Sequence, residues 1–196
     1  LEGVLQKRKR RLSGILNGID TDAWNPVTDA KIKVSYSAGS LEGKKKCKRA
    51  LQEKCGFEAD PEIPVLAVVS RLTHQKGLDL LAKAAPVFLK KKFQFVVLGD
   101  GEAEYRRLFE DIEKKYPGKA KIFFGFRAAE AHTIYAGADL FLMPSLFEPC
   151  GLGQLISMRY GTVPVVRRTG GLKDTVIDAD EHPKKGNGFS FEGVEV

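Results

Sequence analysis

Residues 65–89 read VLAVVSRLTHQKGLDLLAKAAPVFL, and the order of pattern within them points to a fold class. Val65 to Ser70 is a short unbroken apolar run, the signature of a strand buried on both faces. A polar loop follows, then a helix-length segment from Gly77 to Leu89. The same order recurs at FQFVVLG (93–99), AKIFFG (120–125), DLFLMP (139–144) and TVPVV (162–166). Between and after these runs lie helix-length segments at Ala103 to Lys115, Arg127 to Ala136, Gly151 to Tyr160 and Gly171 to Ala179. Parallel strands need crossovers of about a dozen residues or more, so this alternation predicts an α/β fold, a doubly wound parallel sheet of Rossmann-like type with helices on both faces. In such sheets ligands bind outside the carboxyl ends of the strands.

The chain has 196 residues, 43% of them hydrophobic, enough for one well-buried core. Residues 1–60 are expected to form a less regular lead-in packed on the main domain, residues 61–196. Within the lead-in, ILNGI is strand-like, NGID (17–20) reads as a strand end and turn, TDAWNP as irregular chain, and Lys44 to Gly56 as a helix stopped by its glycine. The net charge of +7 is concentrated at Lys7 to Arg11 and Lys44 to Arg49. Neither cluster interleaves aromatics for base stacking, so both are read as solvated faces, and neither a nucleic acid nor a membrane is expected as partner. No apolar run is long enough to span a bilayer, and no apolar segment follows the first charges as in a signal peptide. Cys47, Cys55 and Cys150 form no metal-ligand spacing, and no metal site is expected. The first residue is not Met and the chain stops just after a strand-like run, so a piece of a longer protein is expected.

The loops at the carboxyl edge carry the chemistry. SRLTHQKG places Arg71 and Lys76 just ahead of a helix start, where free N–H groups and two cations suit an anion such as phosphate; by itself the loop fits a solvated junction equally well. LGDGEAE offers Gly99 and Gly101 for close ligand approach or for a tight turn, without the third glycine of a dinucleotide fingerprint. Phe126 follows the glycine that ends the third strand, where an aromatic either flanks a base or packs at the surface; His132, inside the next helix, reads as structural. SLFEPCGLGQL (145–155) brings Glu148, Cys150 and Gly151. One strand later, RRTGGLKDT brings Thr169, Gly170, Gly171 and Leu172 at a strand-to-helix junction with unobstructed amides. A carboxylate beside a phosphate cradle would repel, so Glu148 is expected to accept hydrogen bonds from neutral hydroxyls, which points to a sugar.

Together, LNGIDTDAWNP, SRLTHQKGLDLL, FEPCGLGQL and YGTVPVVRRTGGLKDTV, in register from about Ile15 to Val176, resemble the C-terminal half of bacterial glycogen synthases and plant starch synthases. The resemblance implies a GT-B glycosyltransferase, two Rossmann-like domains facing across a cleft, with this chain as the nucleotide-sugar-binding C-terminal domain. It implies transfer of glucose from ADP-glucose to the non-reducing end of an α-1,4-glucan, with retention, no metal, and no cofactor besides the donor substrate. By the same resemblance Arg71 and Lys76 hold the diphosphate and the leaving ADP, and Glu148 contacts the transferred glucose. Cys150 and Gly151 lie beside that sugar, and the amides of Thr169, Gly170 and Gly171 cradle phosphate; Gly99, Gly101, Phe126 and Leu172 join the candidate donor-site residues from their places in these loops. The implied location is the cytoplasm in a bacterium or the plastid stroma in a plant or alga.

Two departures qualify the resemblance. Many other retaining GT-B families place a second glutamate eight positions after the first, where it holds the ribose; Ile156 stands there, as in the synthases, leaving ribose recognition unexplained. The N-terminal domain, which carries most of the glucan site, and the C-terminal helix that crosses back are absent, so the chain is expected to bind ADP weakly and to be inactive alone. The rival readings are a UDP-glucose-dependent relative, a non-catalytic sugar-nucleotide module, and an NAD-dependent oxidoreductase that rests only on GDG.

Overall fold

The computed structural model describes residues 2–194. Helix α1 (Glu2–Lys7) and a 3-10 turn at Lys9–Arg11 bury nothing. After an irregular stretch come α2 (Glu42–Cys55) and the alternating body: β1 (Val65–Val69), α3 (Leu78–Leu89), β2 (Gln94–Gly99), α4 (Ala103–Lys115), β3 (Ala120–Phe124), α5 (Ala128–Gly137), β4 (Leu140–Met143), α6 (Gly153–Arg159), β5 (Val163–Arg167), α7 (Gly170–Thr175) and β6 (Phe189–Phe191). The strands form one parallel sheet in the order β3-β2-β1-β4-β5-β6, the doubly wound arrangement expected from the alternation. The chain winds outward from β1 to β3, crosses back to β4, and winds outward the other way. The loops after β1 and β4 therefore diverge and leave a crevice between them.

The unbroken apolar runs are explained by burial on both sides of the sheet. In β1, Val65 and Ala67 face the cluster built on α2 and α5, with Cys47, Leu51, Ile134 and Tyr135. Leu66 and Val68 face the opposite cluster on α3 and α4, with Leu78, Leu81 and Phe109. Each buried Val or Leu contributes about 1.5–3 kcal/mol of transfer free energy. Helix α2 stops at Gly56, whose φ of 70° no branched side chain tolerates well and whose N–H caps Gln52 O and Glu53 O. Helix α7 ends at Thr175, earlier than the expected Ala179. Asn187 causes this, because its Nδ2 donates to Thr175 O at 3.1 Å and its Oδ1 accepts from Ile177 N–H at 2.7 Å.

Two readings of the lead-in change. Residues 15–19 form no strand and pair with none of the six, and Ile15 is 94% exposed; Asn17 and Gly18 are poor strand formers. The second basic cluster is not simply a solvated face. Lys44 Nζ donates to Ala136 O, Ala138 O and Thr162 Oγ1, and Lys48 pairs with Asp139 at 2.8 Å, so both fasten α2 to the amino-terminal edge of the sheet. Burial pushes the Lys44 ammonium down to about 8.

The segment before α2 is held by a buried polar knot. Asp29 Oδ2 accepts from Tyr160 Oη at 2.5 Å and lies 2.7 Å from His132 Nδ1, while Trp24 stacks on the His132 ring at 4.1 Å. His132 is thus tied into the packing of this segment. Burial by itself raises the Asp29 carboxyl, but the hydrogen bonds from Tyr160, the Lys31 amide and His132 outweigh it and hold the group below its ordinary 3.8. A carboxyl lowered on folding contributes stability that is complete above the unfolded value and lost as pH falls through the folded one. Asp29→Asn is therefore expected to cost about 1–3 kcal/mol at neutral pH, with the gap to the parent narrowing in denaturant titrations below pH 4. A gap that widens on acidification would contradict this.

Candidate functional site

The crevice is built from the β1 loop (Ser70–Gly77, with a 3-10 turn at His74–Lys76) and the β4 loop (Pro144–Leu152). Leu146 N–H donates to Gln75 O at 2.9 Å, and Gln75 Nε2 donates to Phe147 O at 3.1 Å. Gly77 permits this approach: its φ is 62°, and a Cβ there would lie 2.0 Å from Pro144 O.

Lys76 Nζ meets Glu148 Oε2 at 2.6 Å, and Ser145 Oγ donates to the same oxygen at 3.1 Å. Lys76 and Glu148 expose 15% and 8% of their side chains, so this is a largely desolvated ion pair. No described residue donates to Glu148 Oε1. The pair borders a lobe of about 240 Å³ lined also by Ser145, Gly151, Leu152 and Ile156. Lys76, expected to hold phosphate, first of all compensates Glu148, keeping two further N–H donors for a ligand. The arrangement offers a neutral hydroxyl an acceptor and an anion a cation within one small lobe.

A second lobe of about 470 Å³ continues from the first, sharing Val69, Ser70, Arg71, Tyr135 and Ile156 with it. Its walls are mostly apolar: Trp24, Leu98, Ala131 and Phe126, whose ring is 99% exposed. Arg71 stands exposed at the junction, with Nη2 3.5 Å from Gln75 Oε1. A flat apolar slot, a cation at the waist and a polar lobe beyond it form one continuous groove.

Arg71, Lys76, Glu148, Gly151, Gly99 and Phe126 all line this groove. Cys150 sits half-buried beside it, with its carbonyl accepting from Gln154 Nε2 at 3.1 Å. The remaining expected residues are placed differently. Gly101 pairs with Leu72 away from the groove, and a Cβ there would lie 2.3 Å from Leu72 O, so it serves the tight turn. Thr169, Gly170, Gly171 and Leu172 line neither lobe. The Gly171 amide donates to Glu148 O at 3.0 Å, and Gly170, at φ 47°, lies where a Cβ would meet the same oxygen at 2.0 Å. Leu172 is fully buried with Val166 and Val176, and its N–H donates to Thr169 O. The start of α7 thus supports the Glu148 loop, with the Thr169, Gly171 and Leu172 amides bonded within the fold.

Sequence reading missed Gln75, Ser145, Trp24 and Tyr135. Ser145 lies three residues before Glu148, a spacing that could have suggested a hydroxyl donor; the others had no signal, because their neighbours come from distant chain. Among the described residues no group of three or more His, Cys, Asp or Glu is placed to hold a metal, and no helix is long and apolar enough to cross a membrane.

A parallel sheet of this order with its groove at the switch point is a Rossmann-like nucleotide-binding arrangement. The chain belongs to the glycosyl transferases group 1 family, whose profile matches residues 49–195. It is 52% identical over 191 residues to a glycogen synthase of Bacillus cereus, covering 97% of this chain and 40% of that protein. To glycogen synthase 2 of Geobacter sulfurreducens it is 53% identical over 192 residues, covering 98% and 40%. The catalytic domain of starch synthase IV from Arabidopsis thaliana, solved bound to ADP and acarbose, superposes with a TM-score of 0.92 at 41% identity, covering 98% of this chain and 41% of that one. The motif resemblance and these relatives agree. The chain spans about 40% of the length of the curated relatives it matches.

Proposed function

We propose that this chain forms the donor half of a glycogen or starch synthase, holding ADP-glucose while glucose passes, with retention, to the non-reducing end of an α-1,4-glucan. The observation that carries the reading is the buried Lys76–Glu148 pair facing the small lobe, with Arg71 at its mouth. The base occupies the apolar lobe against Phe126, the diphosphate lies by Arg71 and Lys76, and glucose fills the small lobe with a hydroxyl on Glu148 Oε1. The ADP-bound starch synthase supports an adenine nucleotide as the guest.

Breaking the bond between glucose and phosphate builds positive charge on the sugar ring and negative charge on the leaving diphosphate. In this reading Lys76, held by Glu148, and Arg71 at the waist face the growing negative charge and the Glu148 carboxylate the growing positive charge, so the transition state gains more than the ground state. The glucan is held mainly by the opposite domain, in the bacterial cytoplasm or the plastid stroma. Transfer of labelled glucose from ADP-glucose to glycogen tests the reading: the whole protein is expected to transfer, and this chain alone to be silent. Transfer by the whole protein only from UDP-glucose would overturn the donor assignment, and transfer by the isolated chain would overturn the division of labour.

A further inference from the structure

The waist between the lobes is formed by Val69, Ser70, Arg71, Tyr135 and Ile156. Val69 and Ile156 offer no polar side-chain atom, and Ser70 Oγ donates to Arg71 O at 3.1 Å. Tyr135 is different. It is only 4% exposed, and no hydrogen bond ties its hydroxyl to another described residue. The unpartnered side-chain atoms fully sealed in the interior are Thr73 Oγ1 and Gln154 Oε1; the Tyr135 hydroxyl, not being one of them, reaches the groove. A hydroxyl that opens onto a groove without a protein partner is free to bond whatever fills the groove, and a polar ligand there can replace the water it would otherwise hold.

The ring is held firmly. Tyr135 O accepts from Thr162 Oγ1 at 2.6 Å, and the ring packs 5.1 Å from Phe141 and edge-on to Trp24 at 5.6 Å. Burial raises the phenol's pKa above its ordinary value, so it remains protonated and able to donate at neutral pH. A nucleoside diphosphate sugar threaded with its base in the apolar lobe and its sugar in the polar lobe carries its ribose across the waist.

We propose that the Tyr135 hydroxyl binds a ribose hydroxyl of the donor nucleotide, making Tyr135 a specificity-determining residue. The apolar side chain of Ile156 leaves this task to the phenol, which both donates and accepts and so suits a vicinal diol. The inference rests on the donor-site reading above.

Binding of ADP, 2′-deoxy-ADP and 3′-deoxy-ADP to the parent chain and to Tyr135→Phe tests it. The parent is expected to prefer ADP over at least one deoxy analogue by about 3- to 10-fold. Tyr135→Phe should weaken ADP by a similar factor and bind that analogue as well as it binds ADP. Comparing nucleotides within one variant removes any effect of a partly unfolded fraction. Undiminished ADP affinity in Tyr135→Phe, or discrimination kept in full, would overturn the assignment. A folded parent that binds no ADP would instead reject the donor-site reading, and this inference with it.

Discussion

Lys76→Met is expected to destabilise the fold by about 3–5 kcal/mol, because it strands a buried carboxylate. Glu148 exposes 8% of its side chain and would keep only the Ser145 hydroxyl as a side-chain partner. The loss should shrink when the charge itself is removed, so Lys76→Met combined with Glu148→Gln is expected to recover most of it. Urea denaturation of the parent, both single variants and the double variant closes the cycle. A Lys76→Met chain as stable as the parent, or a double variant no better than the single, would contradict a desolvated, mutually dependent pair. The pair also bears on function. Loss of activity at Lys76 would mix a lost phosphate contact with a displaced Glu148.

That pair also marks where sequence reading stops. Arg71, Lys76 and Glu148 were each legible from their loops, since a cation before a helix start and a carboxylate at a strand end are local patterns. Their meeting was not, because Lys76 and Glu148 lie 72 residues apart and touch only because β1 and β4 are neighbours across the switch point. The same limit hid the supporting contacts of Gly101, Gly171 and Leu172. The Gly171 amide is taken by Glu148 O of another loop, while those of Gly101 and Leu172 are taken locally by Asp100 Oδ1 and Thr169 O. Tyr135 was illegible for the opposite reason: an aromatic in the middle of a helix reads as core, and only the groove's shape reveals its free hydroxyl.

The fold was more legible than the site. β1 and β2 are buried on both faces, so their apolar runs were unambiguous. Residues 15–19 looked equally strand-like but pair with no strand, and strand identity depends on a partner that local sequence does not contain. Helix α7 overran in the reading because its stop comes from Asn187, twelve residues beyond its last turn at Thr175. In each case the error lies where tertiary contacts override local pattern.

Arg71→Ala carries the second large effect, and it bears on whether the groove is a nucleoside diphosphate site at all. The guanidinium stands at the waist with one weak tie, to Gln75 at 3.5 Å, so its removal should leave the fold intact while removing the exposed cation facing the diphosphate. A hydrogen bond to a charged group is worth about 1.5–3 kcal/mol, or roughly 10- to 100-fold in affinity. The decisive measurement is calorimetric titration of ADP into the parent chain and into Arg71→Ala. Saturable binding by the parent, weakened about 10- to 100-fold in the variant, is the expected result. A folded parent that gives no saturable ADP binding, or a variant that binds ADP as tightly as the parent, would contradict the donor site.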